Sequence, residues 1–275
     1  IGVLTDPNRG GATEVQQFLR SSGLEEAYAF WIFECLGHPN ERIHRVVPGE
    51  EISNNLHPLN LVILIRESEP QIDRQRLPLF GIEDGLFKQY SDRPGLMTKR
   101  ETRIQLLADL DLPKKGVLWD MCAGVGSIGL EALRIRPELK LLAVDKRIGC
   151  KDLIQSNAQR LSVKPAAIYE LDVLTLFKKK TLPSSLIHPD RVLLGGGGYN
   201  RLEILSKILE FLNPNGIVVI PLSNVQALNE LENLLRSKNY LSKISQIQTY
   251  RGVPLGDGTR LSPMNPVFIL KGKKK

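Results

Sequence analysis

The sequence predicts an α/β protein: a doubly wound, mostly parallel, Rossmann-like sheet closed by an antiparallel hairpin and preceded by a small α/β lobe. Three observations carry this. From residue 116 onward, short β-branched and apolar runs alternate with amphipathic stretches of helical period, the pattern of βα units that build a parallel sheet. Within that region Val117-Leu118-Trp119 runs into Asp120, then into the Gly-rich loop Cys122-Ala123-Gly124-Val125-Gly126 and a helix opened by Ser127. Such a strand–loop–helix is how α/β proteins hold the charged part of a cofactor. The last two apolar runs, 241–250 and 266–270, follow one another with no helix between them, so they are expected to pair antiparallel.

The elements follow in chain order. Residues 1–5 read as a strand and 6–11 as a turn, with a short amphipathic helix carrying Val15, Phe18 and Leu19 and ending at Gly23. Strands at 28–33 and 59–65 complete the small lobe, assigned to 1–70. Residues 71–93 are polar, contain Pro and show no clear period, and read as a linker to a domain at 94–275. Thr98 and Glu101 have the spacing of a capping box for a helix bearing Ile104, Leu107 and Leu110. Strands are then expected at 116–120, 140–145, 167–171, 191–194 and 217–222, with helices at 127–135, 150–161, 202–212 and 225–237.

Composition narrows the function classes. At 275 residues, 42% hydrophobic and 24% charged, the chain is long enough for two domains with real cores and is not of disordered composition. Its longest apolar runs are far too short for a bilayer, and nothing at residue 1 reads as an export signal, so a cytoplasmic protein without membrane partners is expected. Three cysteines without CxxC spacing argue against a disulfide framework and against zinc. The net charge of +7 is uneven: 9 Lys/Arg stand against 14 Asp/Glu up to Arg93, and 28 against 16 from Pro94 on. The second part therefore favours an anionic ligand.

Gly124, Gly126 and Gly129 spell GxGxxG, which taken literally is a dinucleotide fingerprint. Asp120 decides between ligands. A carboxylate at the strand tip repels a pyrophosphate and attracts the ammonium and sulfonium of S-adenosylmethionine (SAM). Asp145 ends the next strand and suits ribose hydroxyls; Asp172, with Val173, follows the third and suits the adenine amino group. Three acids at three successive strand ends beside a Gly-rich loop point to SAM and to the class I SAM-dependent methyltransferase fold, with ligands past the carboxyl ends of the strands. The fourth strand runs into Gly195-Gly196-Gly197-Gly198, where backbone N–H groups can approach a substrate closely. It carries neither the Asn/Asp-Pro-Pro-aromatic sequence of amine methylases nor a nucleophilic Cys.

Together these residues resemble the decarboxylating C15-methyltransferases of the corrin (cobalamin) pathway. The resemblance is carried by Pro94-Gly95-Leu96-Met97-Thr98-Lys99-Arg100-Glu101, by the Trp119–Ser127 segment, by Asp190-Arg191-Val192 with the glycine run, and by Pro254-Leu255-Gly256 through Asn265-Pro266-Val267-Phe268. Leu4-Thr5-Asp6-Pro7-Asn8, Glu34-Cys35-Leu36-Gly37 and Pro58-Leu59-Asn60 resemble the second lobe of a C5-methylating tetrapyrrole methylase. The two together resemble the fused precorrin-6Y C5,15-methyltransferase family, with C5 methylation expected only in a chain that also carries the first lobe.

The resemblance implies cofactor contacts from Thr98, Cys122, Ala123, Gly124, Val125, Gly126, Asp145, Asp172 and Val173, alongside Asp120. Methyl transfer to bridge carbon C15 of a precorrin would be accompanied by loss of the ring-C acetate carboxylate. Lys99, Arg100, Arg103, Arg251 and Arg260 are candidates to hold the substrate carboxylates, with the backbone at Gly195, Gly196 and Gly197 lining the same site. No general acid or base can be named, and none is demanded by an enamine-like carbon, for which positioning and electrostatics suffice. The implied partners are an anionic tetrapyrrole and further copies of the chain, without nucleic acid. An RNA methyltransferase would also explain the basic charge, but the basic runs lack interleaved aromatics. A catalytically silent SAM-fold interaction module is the other reading.

Overall fold

The computed structural model describes residues 1–275 except 7–10, 22–23, 54, 68–75, 94, 180–181, 197, 256–257 and 275, and the side chain at 254. In chain order it contains β1 (Gly2–Leu4), α1 (Gly11–Ser21), β2 (Tyr28–Glu34), β3 (Arg42–Val46), β4 (Asn60–Arg66), α2 (Arg100–Asp109), β5 (Lys115–Met121), α3 (Ser127–Ile135) and β6 (Glu138–Asp145). There follow α4 (Cys150–Arg160), β7 (Ala167–Glu170), α5 (Val173–Lys179), β8 (Arg191–Leu194), α6 (Arg201–Phe211), β9 (Ile217–Leu222) and α7 (Val225–Ser237). The chain closes with β10 (Tyr240–Ile247), β11 (Tyr250–Leu255), β12 (Gly258–Pro263) and β13 (Val267–Lys274). No helix among the described residues is long and apolar enough to cross a membrane.

The residues group into two units: Ile1–Asp73 with Glu83–Leu86 and Tyr250–Met264, and Arg74–Ile82 with Phe87–Thr249 and Asn265–Lys275. The first holds a four-stranded sheet in the order β1-β4-β2-β3, every pair antiparallel. Its core sits under α1, where Ala12 and Leu19 meet Phe30, Ile32, Val62 and Leu64. The β3 strand was not foreseen: Arg-Ile-His-Arg-Val offers few apolar side chains, and its outer positions are exposed. The β11–β12 hairpin, also not foreseen, belongs to this unit, and β11 packs beside α1.

The second unit is the expected doubly wound sheet, in the order β10-β13-β9-β8-β5-β6-β7. Its five central strands pair in parallel, whereas β13 runs antiparallel to both β9 and β10. One face is covered by α5, α6 and α7, whose Leu176, Ile204, Leu205, Leu231 and Leu235 pack on Trp119, Leu142, Val192, Val218 and Leu270. The helices α2, α3 and α4 pack together along the other. Alternation along β5 sends Trp119 and Met121 into the first of these cores, and so turns Asp120 toward α3. The short α5 helix is an element the sequence reading does not include.

Candidate active site

The order β9-β8-β5-β6 makes the gap between β5 and β8 the switch point of the sheet, because connections leave it in opposite directions. The Gly-rich loop lies at the β5 side of that gap. Cys122, Gly124 and Gly126 all have left-handed φ (+63°, +59° and +75°). Glycine adopts this freely, whereas a side chain at Cys122 does so at a cost of about 1 kcal/mol. The Ala123 N–H donates to Val144 O at 3.0 Å, which pins the loop across to β6. From the other side of the gap the Gly195 N–H donates to Met121 O at 2.7 Å. A Cβ on Gly195 would stand 2.5 Å from Cys122 O, so glycine is required there. The structure thus brings the first of the strand-four glycines against the loop. Gly196 follows with φ +84°, and Gly197 lies outside the described residues.

The acids are arrayed around this loop. Asp145 accepts from Gly124 N at 2.8 Å through Oδ2 and from Arg147 N at 2.9 Å through Oδ1. Its carboxylate therefore shapes the loop, and the remaining lone pairs of both oxygens stay available to ligand hydroxyls. Asp120 is buried and accepts from Gly129 N at 3.2 Å. Burial, opposed by that hydrogen bond and reinforced by the Asp145 charge, pushes its carboxyl up to about 7. Asp172 accepts from Leu174 N at 2.9 Å and so opens α5, with Val173 buried behind it. Glu170 adds a fourth carboxylate, which accepts from the Cys150 thiol and from Lys151 N. The ligand end of the sheet is accordingly acidic, which suits a cationic ligand and opposes a diphosphate.

The start of α2 departs from the sequence reading. Its N-cap is Lys99, without a side-chain cap bond, so Thr98 and Glu101 do not form a capping box. The reason is Arg103, which is fully buried. Its guanidinium takes the carbonyls of Thr98 and Ile82 and donates from Nε to Glu131 Oε1 at 2.8 Å, so the helix begins beyond Thr98. Arg103 is therefore no candidate for a substrate carboxylate; it ties Thr98 to α3, the helix that leaves the loop. Lys99 Nζ donates to Gly95 O at 2.8 Å, and Arg100 Nε donates to Gly81 O. Arg251 pairs with Asp84 at 3.2 Å, and Arg260 is exposed on β12; both lie in the first unit rather than in the one that holds the loop.

Residues 89–274, the span that contains the Gly-rich loop and the strand-end acids, match the precorrin methyltransferase domain family. The chain belongs to that family. It is 34% identical over 192 residues to a protein of Pyrobaculum aerophilum named a probable cobalt-precorrin-6B C(15)-methyltransferase (decarboxylating), covering 69% of this chain and 94% of that one. A precorrin-6Y C(5,15)-methyltransferase [decarboxylating] of Sinorhizobium sp. is 28% identical over 269 residues, covering 96% of this chain and 61% of that longer protein. The fold is that of class I SAM-dependent methyltransferases. It superposes on the crystal structure of a precorrin-6Y C5,15-methyltransferase from Geobacter metallireducens with a TM-score of 0.63 at 24% identity, over 73% of this chain and all of the other.

In this member of the precorrin methyltransferase family, sequence reasoning missed a buried hub beneath the loop. Asn157 on α4 donates to Val125 O and Lys88 O, both at 3.1 Å, and accepts from Lys88 N at 2.7 Å. It holds the residue 88 strap and the loop at once. A signal existed: Asn157 interrupts the buried stripe Cys150, Ile154, Asn157, Leu161. Residues 81–90, within the stretch read as linker, contribute buried Ile82 and Phe87, and the Gly81 N–H donates to Glu131 Oε2 at 2.5 Å. Tyr90 also lies in that stretch, with the Arg147 guanidinium 4.7 Å from its ring centroid.

Proposed function

We propose that this chain methylates the C15 bridge carbon of a precorrin-type tetrapyrrole, with loss of the ring-C acetate carboxylate as carbon dioxide, in cobalamin biosynthesis. The observation that carries the reading is the family match spanning the switch-point loop that Asp145 shapes. The methyl donor is SAM, which supplies an electrophilic methyl group on a sulfonium. The residues present fit it. The site is anionic, and a Cβ on Gly124 would meet nothing within 4 Å, so the loop leaves room on its ligand side.

The chain's own part is binding and placement. Asp145 holds the sugar hydroxyls, Asp172 and Val173 flank the adenine, and the backbone of Cys122, Ala123, Gly124, Val125 and Gly126 follows the cofactor. Asp120 provides the negative charge for its ammonium, and the Thr98 strap covers it. Lys99 and the backbone at Gly195 and Gly196 are assigned to the substrate. Residues 1–70 are read as the second lobe of a tetrapyrrole methylase, 71–93 as the link and 94–275 as the methyltransferase. The alignment to the longer C(5,15) relative covers 96% of this chain, so it runs through both parts.

The test is calorimetric titration of the purified chain with S-adenosylhomocysteine, followed by a precorrin methylation assay with carbon dioxide detection. Micromolar binding that Asp145→Ala abolishes, together with carbon dioxide release in step with methylation, is the expected result. A folded chain that binds no S-adenosylhomocysteine would sink the cofactor assignment.

A further inference from the structure

Among the described residues, the Tyr90 hydroxyl is the buried side-chain polar atom without a hydrogen-bond partner. A phenol left in that state destabilises the protein, so its retention calls for a reason. Its surroundings supply one. The ring lies under the Arg147 guanidinium at 4.7 Å, and the Arg147 N–H donates to Asp145 Oδ1 at 2.9 Å. Two residues earlier, Lys88 is fixed on both its N–H and its carbonyl by Asn157, the side chain that also holds the loop at Val125. The strap bearing Tyr90 is therefore registered to both the Gly-rich loop and the β6 tip.

Asp145 can only accept hydrogen bonds, and so can only take the proton of a ligand hydroxyl. A sugar diol also has oxygen lone pairs, which need a donor. Burial first, and then the Asp145 charge, hold the Tyr90 phenol well above the usual tyrosine range, so it remains a neutral O–H donor across physiological pH.

Building on the SAM reading above, we propose that Tyr90 is a cofactor-binding residue, its hydroxyl donating to a ribose hydroxyl that itself donates to Asp145. Arg147, half-exposed on the turn between β6 and α4, lies over the face of the ring. The orphaned hydroxyl is then a seat prepared for the ligand, and its cost to the free protein is recovered on binding.

The experiment compares the chain with Tyr90→Phe, which removes the hydroxyl and keeps the ring under Arg147. S-adenosylhomocysteine and its 2′-deoxy and 3′-deoxy analogues are titrated by calorimetry, and melting of the ligand-free proteins is recorded. The variant is expected to bind S-adenosylhomocysteine about 5- to 10-fold more weakly, the worth of one hydrogen bond. Against the deoxy analogue that lacks the contacted hydroxyl the loss should be less than twofold, and the free variant should melt at or above the parent's temperature. Equal affinity of variant and parent overturns the proposal. So does an equal loss with all three ligands, or a lower melting temperature that accompanies it, since each marks a structural tyrosine. A parent chain that binds no S-adenosylhomocysteine removes the cofactor reading as well; loss of the Tyr90 effect alone leaves that reading standing.

Discussion

Asp120 and Glu131 are both buried carboxylates on the α3 side of the same sheet, and the fold treats them in opposite ways. Glu131 is saturated by Arg103 Nε at 2.8 Å and Gly81 N at 2.5 Å, with the Arg103 guanidinium further engaged by two carbonyls and the Phe87 ring. Asp120, among the described residues, has the Gly129 N–H at 3.2 Å and no cation, and burial pushes its carboxyl up to about 7. One side of the Gly-rich loop is thus locked by complete pairing, and the other is held short of its partners. Under the proposed function, the unpaired side is where a cationic ligand finds its charge. Under that reading, stability and binding draw on separate carboxylates in this unit, so each can be broken without the other.

The largest effect is expected on the locked side. Glu131→Ala leaves the Arg103 guanidinium buried without its anion, which should lower the unfolding free energy by about 3–5 kcal/mol in a denaturant titration. Replacing both partners with apolar residues, Arg103→Met with Glu131→Leu, should recover only part of that loss: the orphaned charge is gone, but the Thr98 and Ile82 carbonyls and the Gly81 N–H lose these partners. A single variant as stable as the parent would show that the pair is not the lock.

Asp120 should behave oppositely. Its folded value lies above its unfolded 3.8, so the folded state holds the proton longer. Below pH 4 both states are protonated and Asp120 contributes nothing. Between pH 4 and 7 the unfolded state ionises first and stability falls, to a deficit on the order of 4 kcal/mol that is complete above pH 7. Asp120→Asn should remove that component and melt higher than the parent at pH 8. It should also weaken S-adenosylhomocysteine binding, whose ammonium then lacks its carboxylate. In the parent, binding below pH 7 should release a proton, visible as a calorimetric heat that changes with the buffer's ionisation enthalpy.

Asn157 links the two sides and should give an intermediate result. Asn157→Ala leaves the Val125 carbonyl and both Lys88 backbone groups without that partner, a loss of about 1–3 kcal/mol. Because the same bonds register the strap and the loop, S-adenosylhomocysteine affinity should fall along with stability. A stability loss with unchanged affinity would confine Asn157 to the locked side.

How far the sequence reveals this arrangement depends on what each residue bonds to. The parallel strands and their helices are legible because apolar period and strand–loop–helix order are local; β8, β9, α3 and α7 fall at their expected bounds. Asp120, Asp145 and Asp172 are legible as strand-end acids for the same reason. Arg103 reads as a candidate for a substrate carboxylate because its actual partners lie at Ile82 and Glu131, far apart in the chain. The capping box fails with it, since a long-range ion pair overrides the local Thr98–Glu101 pattern. Tyr90 and the Lys88 strap carry no periodic signal, and only the tertiary contacts of Asn157 and Arg147 give them a place. The β11–β12 hairpin is missed because its strands have few apolar positions and group with a sheet far back in sequence.

The smallest expected effect reads the comparison through thiols. Cys150, beneath the β6 tip, is fully buried; its thiol donates to Asp145 O at 3.4 Å, and burial with the Asp145 and Glu170 charges pushes it up to about 12. Cys122 is half-buried on the loop itself. Alkylation needs thiolate and access, and Cys150 has neither. Iodoacetamide at pH 8 should therefore label Cys122 first and leave Cys150 untouched until the chain unfolds, as followed by peptide mass. Saturating S-adenosylhomocysteine should slow labelling of Cys122, because the ligand would lie along its backbone. It should leave Cys150 unchanged. Rapid labelling of Cys150 in the native protein would mean that the β6 tip opens as readily as the loop, against the burial of that thiol.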